Sequence, residues 1–96
     1  MNKYEIMFIV RSDIDEATRK NTVESLEKIL ASNKSKITLS KELGQIEFAY
    51  EIKKFKSGYY YLYNIETANA DATKEFDRVA RINENVIRHL VLKLED

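Results

Sequence analysis

Cysteine, proline and tryptophan are absent from this 96-residue chain, which also has only two glycines and one histidine. Without a thiol there is no disulfide framework, thiolate zinc site, iron–sulfur cluster or cysteine nucleophile. His89 has no second imidazole with which to share a metal ion. Gly44 and Gly58 are too far apart to build a phosphate-cradling loop, which removes nucleotide-binding readings of that kind. No apolar run, Ile6–Val10 included, approaches the roughly 20 residues of a membrane span. The start, Met1-Asn2-Lys3-Tyr4, lacks the apolar stretch and small-residue cleavage site of a secretory signal, so a cytoplasmic location is expected. Neither sign of charge predominates, with Lys+Arg 16 against Asp+Glu 16. Gripping nucleic acid by bulk charge is therefore excluded, while local basic patches stay open.

What remains is a folding composition, 44% hydrophobic and 33% charged. The length predicts one domain over residues 1–96, burying roughly 60–65% of the surface exposed by the unfolded chain.

Residues 3–10 alternate with a period of two. Tyr4, Ile6, Phe8 and Val10 share one parity, and Met7 and Ile9 make the other nearly as apolar, which predicts a central strand. Val23, Leu26, Ile29 and Leu30 then form a helical stripe over about 15–32. Asp13 and Glu16 have capping-box spacing before it, and Ser32-Asn33 ends it. Period two returns over 36–52, but its phase flips at Gly44, from Ile37, Leu39 and Leu43 to Ile46, Phe48, Tyr50 and Ile52. A β-bulge explains that flip, with a turn between two short strands as the alternative.

The basic stretch from Lys53 to Gly58, closed by Ser57-Gly58, predicts a hairpin loop. In the strand after it, Tyr59–Glu66, Tyr59, Tyr61, Tyr63 and Ile65 face one way and Tyr60, Leu62 and Asn64 the other. A second helix is predicted over about 70–82, with Ala72, Phe76, Val79, Ala80 and Ile82 as its buried stripe and Asn83-Glu84-Asn85 as its stop. Val86–Leu94 alternates again, with Val86, Arg88, Leu90, Leu92 and Leu94 as the more apolar face. The order β-α-β-β-α-β is an α+β, ferredoxin-like split β-α-β plan. It predicts a four-stranded antiparallel sheet with both helices on one face and the first strand beside the third.

Catalytic chemistry finds no anchors. Six serines are scattered, none in a nucleophile-elbow sequence, and His89 reads as a partly exposed strand residue. Arg11 stands where small phosphatases of this plan keep an arginine, yet Arg11-Ser12-Asp13-Ile14-Asp15 is acidic and has no glycine. The expectation is therefore no enzyme, cofactor, metal or small-molecule substrate, and no membrane association.

Two groups of basic residues are more suggestive. Lys53, Lys54 and Lys56 cluster at the predicted hairpin, and Arg78, Arg81, Arg88, His89 and Lys93 run from the second helix into the last strand. Such groups neutralise phosphates and position a protein on nucleic acid without reading bases, and they equally serve to solvate a surface. Tyr50 and Tyr60 are of a type that stacks on unpaired bases. A tyrosine-rich outer sheet face also fits a protein interface.

Tyr4-Glu5, the stretch Glu42-Leu43-Gly44 running into Phe48-Ala49-Tyr50-Glu51-Ile52-Lys53, the aromatic strand after Gly58 and the run Arg81 to His89 together resemble the bacterial small-subunit ribosomal protein six family. The similarity spans nearly the whole chain and is most specific from Gly44 to Lys53 and from Arg81 to Lys93. Phe48 departs from the family's usual Leu, the chain ends at Asp96 without the longer acidic tail of many members, and the total charge is neutral. The resemblance implies the fold derived above and a ribosome-associated, non-catalytic role. That role is binding the central domain of small-subunit ribosomal RNA together with small-subunit ribosomal protein eighteen. On this reading Arg78, Arg81, Arg88, His89 and Lys93, with Lys53, Lys54 and Lys56, face RNA phosphate or the partner. A different-class alternative is a standalone regulatory module that dimerises and binds a small ligand.

Overall fold

The computed structural model describes residues 2–32, 35–68 and 71–94. Six elements follow in the predicted order: β1 (Asn2–Arg11), α1 (Glu16–Ser32), β2 (Lys36–Ile52), β3 (Phe55–Thr67), α2 (Asp71–Ile82) and β4 (Val86–Leu94). Every strand pairing is antiparallel, in one sheet ordered β2-β3-β1-β4, so the first strand does lie beside the third. Asn33, expected at the end of α1, and Ala70, expected at the start of α2, lie outside the described residues.

The helices cover the sheet face that carries Ile6, Phe8 and Val10 of β1 with Tyr61, Tyr63 and Ile65 of β3. Leu26 and Leu30 of α1 and Ala72, Phe76 and Ala80 of α2 close that core. At its centre the Phe8 ring stacks on Tyr61 and Tyr63, with centroids 5.2 and 5.7 Å away, and Phe76 tilts onto it at 5.8 Å. Each such aromatic pair adds about 0.5–1.5 kcal/mol to the area it buries. Burial raises the pKa of the Tyr63 phenol, and its hydrogen bond to Glu27 raises it further, so the ring stays neutral. Ile82 does not join the stripe; it is 71% exposed at the end of α2.

The cap of α1 falls two residues later than the sequence suggested. Asp15 Oδ1 accepts the Thr18 N–H at 3.0 Å, and its carbonyl accepts the Arg19 N–H, which makes Asp15 the N-cap residue. Asp13 is diverted because Arg11 lies two residues before it. The Arg11 guanidinium grips both Asp13 oxygens, at 2.6 and 2.8 Å, and lies over the Phe55 ring.

Gly44 marks a bulge within one continuous strand, as its phase flip predicted. Its φ is +86°, and Leu43 is the extra residue between the Glu42–Tyr61 and Gly44–Tyr60 pairs. A second irregularity at Thr38, which the alternation did not reveal, turns Leu39 away from the helices.

The predicted six-residue loop is instead a two-residue turn. Lys53 and Lys54 occupy it with φ of 50° and 70°, the signature of a type I′ hairpin, and Ile52 pairs with Phe55. Ser57 and Gly58 lie inside β3, opposite Glu47 and Ile46. Gly58 is there for closeness: a Cβ on it would stand 2.5 Å from Ile9 Cγ2 and 3.1 Å from the Val10 carbonyl oxygen. Since Arg11–Gly58 is the last rung between β1 and β3, the hairpin arm beyond it projects past the end of β1.

Candidate nucleic-acid and partner interface

The projecting arm brings together residues that the sequence keeps apart. Its tip residue Lys53 lines one depression with Arg81 at the end of α2 and with Arg88 and His89 at the start of β4. Arg78 lies one turn earlier on α2, and Lys54 is exposed beside Lys53. Lys56 is elsewhere, in a groove along the arm with Glu47, Glu51 and Ser57. Lys93 is also elsewhere, opposite Tyr4 near the far end of β4. The eight basic positions therefore form a central group of four with Arg78 and Lys54 beside it, and two outliers.

Their side chains differ in readiness. Arg78 is engaged by Glu75 and Arg81 by Asp77, both pairs within α2. The other Asp77 oxygen lies 2.6 Å from His89 Nε2. That hydrogen bond, with the nearby Arg81 charge, holds the Asp77 carboxyl below its ordinary pKa, against some desolvation. His89 is a partly exposed strand residue, as expected. Its side chain is 18% exposed, opposite Phe8 on the helix-covered face, with Phe76 edge-on to the ring. Arg88 is on the opposite sheet face and, among the described residues, neither it nor Lys53 has an ion pair.

The other sheet face is uncovered. The register puts Met7 and Ile9 of β1, Tyr60 and Leu62 of β3, and Arg88, Leu90 and Leu92 of β4 on it. Leu39 and Ile46 of β2 join them, each opposite a β3 residue of that face. Leu90 is 49% and Leu92 46% exposed. The more apolar parity of β4 thus turns outward. The irregularity at Ile87 explains why the sequence pattern concealed this: it puts Val86 opposite Val10 in the core while Arg88, Leu90 and Leu92 take the open side. At the arm, this face continues into a groove lined by Phe48, Tyr50, Tyr60 and Arg88, with Glu47 and Glu51 also lining it.

Charge is segregated although its sum is zero. Away from the basic depression, Glu16, Glu24, Glu27 and Glu42 line a groove around Arg19 and Lys20, and the Arg19 guanidinium lies over the Tyr59 ring at 3.9 Å. That flank repels phosphate, whereas the depression attracts it.

Sequence reasoning singled out the basic residues and, in Tyr50 and Tyr60, two of the groove's aromatics, but it did not place Phe48 or Arg88 beside them or find the outward apolar row of β4. The apolar row left no usable sequence signal, because the outward parity of β4 is set by the irregularity at Ile87.

The family model described as ribosomal protein S6 matches residues 3–93. Among solved structures, the crystal structure of 30S ribosomal protein S6 from Thermotoga maritima is similar, with a TM-score of 0.92 and 32% sequence identity. The match covers 97% of this chain and 87% of that one.

Proposed function

Since this chain belongs to the ribosomal protein S6 family and is thereby a small-subunit ribosomal protein, we propose that it binds the central domain of small-subunit ribosomal RNA together with small-subunit ribosomal protein eighteen. The role is structural and non-catalytic, carried out in the cytoplasm on the ribosome. The observation that carries this reading is the adjacency of an uncovered apolar sheet face, with Leu90 and Leu92 about half exposed, to the depression of Lys53, Arg81, Arg88 and His89. One surface suits a protein and the other suits phosphate.

Charge arithmetic supports a shared task. A neutral chain with one small basic depression makes few phosphate contacts, and each contact contributes affinity that falls with salt. A partner docked on the sheet face adds its own contacts, and the linked sites act at high effective concentration. No helix among the described residues is long and apolar enough to cross a membrane.

The test combines the purified chain, the partner protein and a central-domain RNA fragment, and measures assembly by sedimentation over a range of salt concentrations. The expected result is a ternary complex tighter than either binary one. Charge reversal at Arg81 and Arg88 should weaken it most at low salt and flatten the salt dependence. Assembly equal to the wild type at every salt concentration would reject the basic depression as an RNA surface. A chain that ignores both partners but is thermally stabilised by a metabolite would support the regulatory-module reading instead.

A further inference from the structure

We propose that the groove beneath the hairpin arm and the adjoining depression form one site for a single unpaired nucleotide of RNA, the base in the groove and its phosphate in the depression. This rests on the RNA-binding reading above and specifies what that surface takes. Arg88 lines both hollows and carries no ion pair among the described residues. On one side of it stand Lys53 and Arg81, so the depression collects three cations, with Asp77 bonded to Arg81 as the opposing charge. On the other side stand Phe48, Tyr50 and Tyr60; among the described residues Tyr50 meets no other ring and Tyr60 meets only Phe48.

The division between base and phosphate follows from charge. Glu47 and Glu51 line the groove and oppose a phosphate there, but not the neutral face of a base. Aromatic side chains stack on any exposed base, and Tyr50, 86% exposed, is free to close over one. A base within a duplex has both faces covered by its neighbours, so only an unpaired nucleotide can use the groove. Phe48 and Tyr60, with centroids 6.1 Å apart and planes tilted by 51°, give it a fixed wall.

The experiment uses the whole chain with a short single-stranded RNA carrying 2-aminopurine at its centre, and compares it with a duplex of the same length. Expected is quenching of the 2-aminopurine on binding, with the duplex binding at least about tenfold more weakly. Tyr60→Leu should weaken single-strand binding about tenfold or more, and Tyr50→Ser should do so in part. Tyr50→Ser changes an exposed side chain, so it keeps the test open if Tyr60→Leu disturbs the fold. Arg88→Gln should lower the magnitude of the salt slope by about 0.7. Binding without quenching, equal binding of duplex, or variants that weaken only the partner protein would overturn the nucleotide site. Each of those results is compatible with assembly into the subunit. Quenching by the isolated chain together with failure to assemble would count against the ribosomal RNA reading while supporting the site.

Discussion

One carboxylate oxygen of Asp77, on α2, lies 2.6 Å from Nε2 of His89, on β4, while the other oxygen holds Arg81. The contact ties the middle of α2 to an edge strand beside the basic depression. It has a pH signature. The Asp77 pKa is lower in the folded chain than its ordinary value of 3.8. Its contribution to stability is therefore complete above that value and fades as pH falls through the lower folded-state value. Asp77→Asn should destabilise by about 1 kcal/mol or less near neutrality, since the pair is partly exposed. Urea unfolding of both proteins should show that gap closing below pH 3.8. A gap that persists unchanged at low pH would assign the loss to packing.

The two glycines should respond differently to alanine. At Gly58 a new Cβ meets Ile9 Cγ2 at 2.5 Å and Phe48 Cζ at 3.1 Å, an overpacking that costs about 1–3 kcal/mol. At Gly44 nothing lies within 4 Å of the added atom, and the cost comes from its φ of +86°, about 1–2 kcal/mol. A background of Ile9→Ala distinguishes the two mechanisms. It should reduce the Gly58→Ala penalty in a double-mutant cycle and leave that of Gly44→Ala unchanged.

Lys53 and Lys54 hold left-handed backbone conformations that ordinary side chains disfavour. Lys53→Asn with Lys54→Gly supplies the residues a type I′ turn prefers and should raise stability by about 1 kcal/mol. The same change removes a cation from the depression and should weaken binding to single-stranded RNA at low salt. Thermal melts and a salt titration on one protein would reveal the opposition. Gain in both properties would mean that the tip lysines do not face RNA.

The strands and helices were legible because each apolar set repeats with one period over a long stretch. Phe8 and its neighbours on β1, and Tyr61, Tyr63 and Ile65 on β3, kept their parity throughout. Gly44 was legible as a bulge because the parity on either side of it disagrees. The hairpin was located but its loop was drawn four residues too long, because the turn is made of two lysines, which carry no turn signal, while Ser57-Gly58 carries a strong one and Gly58 is used for close packing. The cap was misplaced because Arg11 takes Asp13, a competition that spacing alone does not express. Lys53 and Arg88 are far apart in sequence, and only the projection of the arm past the end of β1 brings them to one hollow. Which parity of β4 faces outward depends on the irregularity at Ile87, a property of strand register and not of composition.

That outward face gives the strongest separation of stability from assembly. Leu90 and Leu92 are 49% and 46% exposed, so replacing both with Gln removes little buried area from the isolated chain. The combined loss should stay near about 1 kcal/mol, each position behaving as a surface substitution. Leu26→Ala, at a fully buried position, should by contrast cost about 2–5 kcal/mol. If the sheet face is where the partner protein docks, the two Gln substitutions remove apolar contact from that interface. Partner affinity should then fall at least about tenfold, with the fold intact. Binding of 2-aminopurine RNA should change little, because Leu90 and Leu92 lie outside the aromatic groove. Isothermal titration with the partner and chemical unfolding of the same samples measure both quantities. A large loss of stability would make these leucines core residues, and unchanged partner affinity would move the docking surface elsewhere.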